Sequence, residues 1–447
     1  MKKEEYLKTV TEQIRCEKAR SKIAREIGSH IEEQKSEYMR EGLKAEEAEA
    51  EAVKDMGDPV ETGTKLDMIH RPRMAWGWIG LIAALYLAGF VVQILMQRDI
   101  ADFLGFDLMR YAVRLVLGLG VMVGICYVDY SRIGCWAKEI TLIAFAVIYI
   151  GLFRGQVVNG AVMGIYGIHV NVRMLAFLFV PLYGAVLYQY RGQGYKAIVK
   201  GILWMFPALE IARRIPSLIT VWTLFLSFVI ILSFAIYKEW FQVSKRRTMA
   251  GLWCGMILIP VMGCVFILVR GAEYQTARIQ AYLNPWSEEL AFPTMVTREL
   301  LKNSSLIGMG NDVERYVQML PDPVNYSFIY IVSCGGILAA IVLVGAIIFL
   351  LLRFLGSSLK QKNQMGMTMG IGCAIVMLVQ MVFYILGNIG FSPMGGMYCP
   401  FITYGGTGML VTNVLLGILL SIYRYQDVPL ETEKRKYHIS INVKKSG

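Results

Sequence analysis

The chain has 447 residues, of which 55% are hydrophobic and 18% are charged, and its mean hydropathy is +0.48. Apolar runs of about 20 residues recur along it, and each can cross a hydrocarbon core about 30 Å thick as a helix. This excludes a soluble enzyme of two or three domains and predicts an all-α polytopic membrane protein. The net charge of +11 does not indicate a nucleic-acid partner, because the bases of the apolar part lie in short loops between its runs.

Residues 1–72 predict a small cytosolic helical domain, and they hold half of the 34 acidic residues. Ile23, Ile27 and Ile31 recur every fourth residue, Tyr38 continues the stripe, and Gly42 can end that helix. A second, Ala/Glu-rich helix follows and ends at Gly57-Asp58-Pro59. This pattern resembles the permease prefix domain found ahead of several bacterial membrane proteins. Two interpretations stay open, a solvated helical cap and a docking module for a cytosolic partner.

Ten apolar segments predict a membrane domain of about ten helices over residues 73–424. The segment 197–212 is the weakest, because Lys200, Pro207 and Glu210 interrupt it, and we expect a broken or half-inserted helix there. The segments are 75–96, 111–128, 134–153, 174–190, 197–212, 216–236, 247–269, 328–353, 366–388 and 404–423.

The distribution of basic residues predicts that both termini are cytosolic, with 425–447 as a basic tail. The long connection 270–327 then lies outside the membrane. A connection of that length, rich in aromatic, acidic and Pro/Gly residues, is typical of an ordered, functional loop. The bases assigned to the cytosolic side are Arg132, Lys138, Arg191, Lys196, Lys200, Lys238, Lys245, Arg246, Arg247, Arg353, Lys360, Lys362, Lys434, Arg435, Lys436, Lys444 and Lys445.

Three stretches of the last third resemble, in the same order, motifs of the SEDS (shape, elongation, division and sporulation) family. The first, RIQAYLNPW, runs from Arg278 to Trp286. The second, IGMG at 307–310, is followed by Leu320-Pro321-Asp322. The third is PFITYGGT at 400–407, ahead of the last apolar helix and the basic tail. The first six apolar segments agree with the family in number and spacing but not in motif, which is typical of a divergent member.

The resemblance implies a peptidoglycan glycosyltransferase that polymerises lipid II or another undecaprenyl-linked precursor in cell division, cell-shape maintenance or sporulation. It also implies a partner, a class B penicillin-binding transpeptidase. Substrate-binding positions carried over from the motifs are Arg278, Trp286, Pro400, Thr403, Tyr404, Gly405, Gly406 and Thr407.

The third motif has a physical interpretation of its own. Gly405-Gly406 beside a helix start allows close backbone approach, and the amides of a helix N-terminus can bind an anion. Thr403, Tyr404 and Thr407 add hydroxyls, which would suit a pyrophosphate or sugar headgroup. The alternative is tight helix packing through small residues.

The chain departs from the family at the position of the essential Asp, which Ser327 occupies here when Phe328 is matched to the family Phe. A serine needs an activating neighbour to act as a base near neutral pH. Asp322, which matches the motif's Glu, is the nearest carboxylate and a candidate catalytic residue, although Asp-Pro also favours a turn. Whether the chain is an enzyme therefore stays open.

No metal site and no cofactor is predicted, although a divalent cation is left open by the family chemistry. The 8 cysteines have neither the CxxC nor the metal-ligand spacing, so we expect no disulfide framework. Two alternative functions remain open. The chain could be a catalytically inactive scaffold for the transpeptidase, or a transporter of a lipid-linked precursor or solute. The absence of paired broken helices in corresponding halves weighs against the transporter.

Overall fold

The structure is a computed structural model in which most of the chain is helical. Its described residues divide into two compact units, one of residues 1–73 with 424–428, and one of Met74–Tyr423. The residues described are 1–99, 108–153, 155–158, 161–163, 170–215, 217–271, 276, 280, 292–320, 323–391 and 398–428.

The first unit is a bundle of four helices whose core is the predicted isoleucine stripe. Ile23, Ile27 and Ile31 are buried together with Tyr6 and Val10, and Tyr38 packs against them, so the stripe is confirmed. The helices are α1 (Lys3–Glu12), α2 (Glu17–Arg40), α3 (Ala45–Asp55) and α4 (Pro59–His70).

Helix α4 is one that the sequence analysis did not predict. It begins where the second predicted helix ends, because Asp58 accepts hydrogen bonds from the amides of Val60 and Glu61 and so caps a new helix N-terminus. Proline at the first helical position needs no amide partner, which makes Asp58-Pro59 a start signal as well as a stop signal.

An open groove of about 370 Å³ lies between α2 and α4 of this unit, and its lining includes Ile27, His30, Lys65, Leu66 and His70. His70 is fixed at the edge, since its Nδ1 lies 2.8 Å from the carbonyl oxygen of Asp427.

The second unit contains the remaining helices and one short antiparallel hairpin, β1 (Gln156–Val158) and β2 (Ala161–Met163). A 3-10 turn, Pro323–Tyr326, leads directly into the helix that begins at Ser327. The helices are α5 (Trp76–Asp99), α6 (Leu108–Tyr127), α7 (Tyr130–Cys135), α8 (Ala137–Phe153), α9 (Val172–Ala176), α10 (Phe179–Gln189), α11 (Tyr195–Leu203), α12 (Phe206–Arg214), α13 (Leu218–Tyr237), α14 (Lys245–Arg270), α15 (Phe292–Lys302), α16 (Val313–Gln318), α17 (Ser327–Gly335), α18 (Ile337–Leu359), α19 (Gln364–Asn388) and α20 (Gly406–Arg424).

Among the described residues, 8 helices are long and apolar enough to cross a membrane, with α9 and α10 forming one of them. Helix α8 is apolar but has 17 residues. The predicted segment 197–212 is a broken helix, because α11 ends at Leu203 and α12 restarts before Pro207. The charge of Glu210 on α12 is neutralised by Arg213, which donates to both carboxylate oxygens at 2.7 Å. The membrane-length apolar helices make the chain an all-α integral membrane protein.

Helix α19 is the centre of the membrane unit and packs against α10, α13 and α18. The backbones of α10 and α19 approach each other closely at two glycines. A methyl group on Gly184 of α10 would lie 2.6 Å from the carbonyl oxygen of Thr368, and one on Gly372 of α19 would lie 3.1 Å from Cα of Pro181. Small residues at such crossings let helix backbones pack directly, which stabilises helix pairs in lipid.

Candidate functional site

The third motif forms a buried turn that leads into α20. The backbone amide of Cys399 donates to Thr403 Oγ1 at 2.9 Å, and the amide of Thr403 donates to the carbonyl oxygen of Cys399 at 3.1 Å. Thr403 is buried, so its hydroxyl closes the turn. Phe401 inside the turn has φ of 70°, a backbone conformation that is rare for a bulky residue and often marks functional sites.

Helix α5 holds this turn from one side. The Gln93 amide donates to the carbonyl oxygen of Ile402 at 2.6 Å, and Gln93 is completely buried. One turn earlier, a methyl group on Gly89 would lie 2.0 Å from the carbonyl oxygen of Phe401. Glycine is therefore required at position 89 for α5 to reach the motif.

Helix α19 holds the turn from the other side. Its buried Gln380 donates to the carbonyl oxygen of Tyr398 at 2.7 Å. The Tyr398 ring in turn covers α20, because a methyl group on Gly408 would lie 2.5 Å from it. These contacts fix the direction in which α20 begins.

The N-terminus of α20 lies beside a basic side chain. A methyl group on Gly406 would sit 3.1 Å from Arg114 Nε, and the Arg114 guanidinium carbon lies 5.4 Å from the centre of the Tyr404 ring. Thr407 Oγ1 accepts a hydrogen bond from the backbone amide of Asn171 at 3.1 Å. Tyr404 through Thr407 are partly exposed. A guanidinium, a helix N-terminus and two hydroxyl groups together favour an anion.

The two glycines of the second motif bind the break between α17 and α18. The amides of Gly308 and Gly310 donate to the carbonyl oxygens of Gly335 and Ser333 at 3.2 and 2.8 Å. Gly308 has φ of 82°, and a methyl group on Gly310 would lie 2.3 Å from the carbonyl oxygen of Asn303. The motif is therefore a structural clamp on the end of α17.

Ser327, at the position of the family Asp, is the first residue of α17 and is completely buried. Its Oγ donates to the carbonyl oxygen of Val324 at 2.7 Å. The next amides are bound by α19, since Phe328 N donates to Tyr384 Oη at 2.9 Å and Ile329 N donates to Asn388 Oδ1 at 3.3 Å. The Ser327 hydroxyl thus closes a turn.

Helix α5 contacts both the third motif and α17. Gln93 binds the third motif, and Asp99, the last residue of α5, accepts a hydrogen bond from Tyr330 of α17 at 2.6 Å. Six residues of helix separate them, which corresponds to about 9 Å along the axis. Pro400, Thr403, Tyr404, Gly405, Gly406 and Thr407 lie together in the turn and at the start of α20, and α5 links this turn to α17. Arg278, Trp286 and Asp322 lie outside the described residues.

Three side chains of this site, Gln93, Arg114 and Asp99, lie outside the sequence motifs and were not predicted. Each is polar or charged within or at the end of an apolar helix, and such residues in a membrane span are a signal of function. The described part of the chain contains no group of three or more His, Cys, Asp or Glu side chains that could hold a metal ion.

Three comparisons relate this architecture to known proteins. The model of the cell cycle protein family FTSW_RODA_SPOVE matches residues 74–428. The probable peptidoglycan glycosyltransferase FtsW of Pseudomonas fluorescens (strain SBW25) is 22% identical over 404 residues, covering 86% of this chain and 95% of the relative. The corresponding protein of Alcanivorax borkumensis is 26% identical over 364 residues, covering 77% of this chain and 91% of the relative.

A solved structure of a peptidoglycan synthase complex that coordinates polymerization and crosslinking contains a chain of the same fold. The two chains are 20% identical and superpose with a TM-score of 0.64, covering 79% of this chain and 99% of the other. The family model begins its match at residue 74, after the prefix.

Proposed function

The chain belongs to the cell cycle protein family of FtsW, RodA and SpoVE, and we propose that it is a SEDS-type peptidoglycan glycosyltransferase that polymerises lipid II. Two relatives that match most of the chain are named as peptidoglycan glycosyltransferases. The process served would be cell division, cell-shape maintenance or sporulation.

One observation carries the proposal, the arrangement around the start of α20. Several polar groups converge at Gly406, where Arg114 lies close to the backbone. They are the Arg114 guanidinium, the hydroxyls of Tyr404 and Thr407, and the partly exposed helix N-terminus. A lipid-linked diphosphate carries the charge that such a group of donors recognises. The same donors would stabilise the negative charge that develops on the diphosphate as the glycosidic bond forms.

The other predicted substrate contacts complete this picture. We expect Arg278 and Trp286 to face the same substrate from the segment 270–327, which the charge distribution places outside the membrane. Asp322 is the carboxylate that the motif alignment offers as a base. A divalent cation bound to the substrate's diphosphate would add to the charge of Arg114 without needing a cluster of protein ligands.

The partner that we propose is a class B penicillin-binding transpeptidase, which would cross-link the strands that this chain makes. The similarity to a chain of a peptidoglycan synthase complex supports this proposal. The prefix, through the groove between α2 and α4, would bind a separate cytosolic partner.

A second candidate is a catalytically inactive scaffold for the transpeptidase. It is favoured by Ser327, whose hydroxyl is buried and donates to a backbone carbonyl. A neutral hydroxyl without an activating neighbour is too weak a base to take a proton from a substrate. In this case the membrane fold would be kept for its partner surface alone.

Glycan-strand formation tests the proposal. Lipid II is supplied to the full-length protein, purified with its transpeptidase in lipid nanodiscs, and strands are separated by length. Material purified identically from cells that lack the protein controls for contaminating transferases, and one arm is treated with EDTA and then resupplied with Mg²⁺. Strands made only by the full-length protein support the transferase, whereas a stable complex that makes none indicates the scaffold.

A further inference from the structure

A hydrogen bond connects α17 to a carboxylate that the motif alignment does not use. Tyr330, which is almost completely buried, donates its hydroxyl to Asp99 Oδ2 at 2.6 Å. Tyr330 lies three residues after Ser327 on the same helix. Residues three apart are neighbours on a helix surface, so Asp99 approaches the part of α17 where the family carries its Asp.

The position of Asp99 on α5 is unfavourable for helix stability. It is the last residue of the helix, where the partial negative charge of the helix end repels a carboxylate. Arg98 Nε lies 3.3 Å from Asp99 Oδ1, but the Arg98 side chain is 79% exposed, so this ion pair is weak in water. The Asp99 side chain itself is 30% exposed, so the carboxylate is partly accessible from solvent.

The other carboxylates described in the neighbouring connections are placed differently. Glu210 is enclosed by Arg213 and Arg214. Glu299 lies 4.0 Å from Lys302 on the same helix, and Asp312 and Glu314 are exposed. Asp99 differs from these four in being bound to the helix that begins at Ser327.

We propose that Asp99 is the general base of the glycosyl transfer, in the role that Ser327 cannot fill; this inference rests on the proposed function. Asp99 accepts the proton of the acceptor sugar hydroxyl while that oxygen forms its bond to the anomeric carbon of the donor. The bond between this carbon and the diphosphate oxygen breaks, and its electron pair leaves with the lipid diphosphate. The proton then passes from Asp99 to water. Tyr330 positions the carboxylate.

Four variants of the full-length protein, in complex with its transpeptidase, test this assignment with lipid II as substrate. Asp99→Asn keeps the size and an acceptor for the Tyr330 hydroxyl but cannot take up a proton. Asp99→Glu keeps the base. Tyr330→Phe removes the donor and keeps the carboxylate. Asp312→Asn is the matched control, because it makes the same chemical change at an exposed residue whose φ of 53° asparagine also tolerates.

We expect Asp99→Asn to lower the rate of strand formation by about 100-fold or more, with lipid II affinity and melting temperature unchanged. Asp99→Glu should be faster than Asp99→Asn, and Asp312→Asn should match the unmodified protein. Tyr330→Phe, which removes the donor that positions the carboxylate and keeps the base, should lower the rate by less than Asp99→Asn does. If Asp99→Asn fails to fold, Asp99→Glu decides the case: its rate should fall because the carboxylate moves by one methylene group, and a rate equal to that of the unmodified protein would contradict the assignment. A merely structural bond between the two side chains predicts equal losses in Asp99→Asn and Tyr330→Phe.

Two results would overturn the assignment in different ways. If the unmodified protein is active and Asp99→Asn keeps more than half of its rate, the base lies elsewhere, and a parallel Asp322→Asn variant reports whether it is Asp322. If the unmodified protein makes no strands, the proposed function itself fails, and Asp99 has no proton to accept.

Discussion

Gln93 donates its side-chain amide to the carbonyl oxygen of Ile402 at 2.6 Å, across 309 positions of the chain. Both residues are buried, where a hydrogen bond that is lost leaves a polar group unpaired at a cost of about 1–3 kcal/mol. This hydrogen bond therefore ties the first membrane helix to the third motif. The Gln93 hydrogen bond can form only because Gly89 lets the two backbones approach.

We predict that Gly89→Ala lowers the activity strongly, because its methyl group would meet the carbonyl oxygen of Phe401 at 2.0 Å. The two segments must separate, and the Gln93 bond breaks with them. Gly80→Ala on the same helix has nothing within 4 Å and should be neutral or slightly stabilising. Strand formation and the melting temperature of both variants check this. Equal behaviour of the two variants would contradict a close contact at Gly89.

Arg114→Gln should weaken the binding of lipid II about 10-fold, because a charged hydrogen bond to a phosphate is worth about 1.5–3 kcal/mol. The side chain lies against Gly406 and over Tyr404, so no folding role is needed to explain the loss. Arg315→Gln is the control, since Arg315 is exposed and lies 5.9 Å from the ring of the neighbouring Tyr316. Binding of lipid II to nanodiscs measures both, and an unchanged affinity of Arg114→Gln would remove the diphosphate from this helix end.

The prefix core and the membrane helices could be predicted because burial follows local periodicity. Ile23, Ile27 and Ile31 return to one face of a helix every fourth residue, and that face is buried. The break before Pro207 follows equally from one residue that lacks an amide. The start of α4 was missed because Gly57-Asp58-Pro59 fits both the end of one helix and the cap of the next.

The site could be predicted only where a motif carries it. The third motif is brought to the α20 start as expected, but its partners Gln93, Arg114 and Asp99 come from helices without a motif. Which residue of an apolar helix faces a turn that lies hundreds of residues away depends on the packing of both. Gln93 was visible as a polar residue in an apolar span, but nothing local connects it to Ile402.

Gly310→Ala should destabilise the membrane unit by about 1–3 kcal/mol, because its methyl group would lie 2.3 Å from the carbonyl oxygen of Asn303. The clamp of the Gly308 and Gly310 amides on α17 would be lost with it. Gly345→Ala on α18, with nothing within 4 Å, is the matched control. Melting in detergent, followed by tryptophan fluorescence, compares the two. A melting temperature of Gly310→Ala equal to that of the control would show that the segment around Asn303 can move and make room for the methyl group.

The prefix should lose stability in acid through Glu49. Lys35 Nζ lies 2.6 Å from its carboxylate, and the backbone amide of Lys3 donates to it at 3.3 Å. These bonds lower the pKa of Glu49 below its ordinary value of 4.5. A group whose pKa is lowered by folding stabilises the fold above the unfolded pKa, and this stability is lost as the pH falls through the folded pKa.

We expect the melting temperature of a fragment of residues 1–73, which contains the whole prefix core, to fall by a few degrees between pH 6 and pH 3. Glu49→Gln should lower the melting temperature at pH 6 and make it less dependent on pH. Glu46→Gln, at an exposed acid of the same helix, should leave the pH dependence unchanged. Circular dichroism measures all three, and a dependence that Glu49→Gln does not reduce would assign the acid sensitivity to other carboxylates.

Ser327→Asp, which restores the family residue in sequence, should not restore a base. The side chain is completely buried, and its hydroxyl donates to the carbonyl oxygen of Val324, whereas a carboxylate would face that oxygen with a like charge. Burying an unpaired charge costs several kcal/mol. We therefore expect the Ser327→Asp protein to accumulate in cells at a low level and to have a lower melting temperature. Ser327→Ala, which loses one hydrogen bond worth about 1 kcal/mol, should fold and keep its rate. A faster rate of strand formation in Ser327→Asp would show that α17 can turn this position toward the substrate, and the base would then belong to α17 rather than to Asp99.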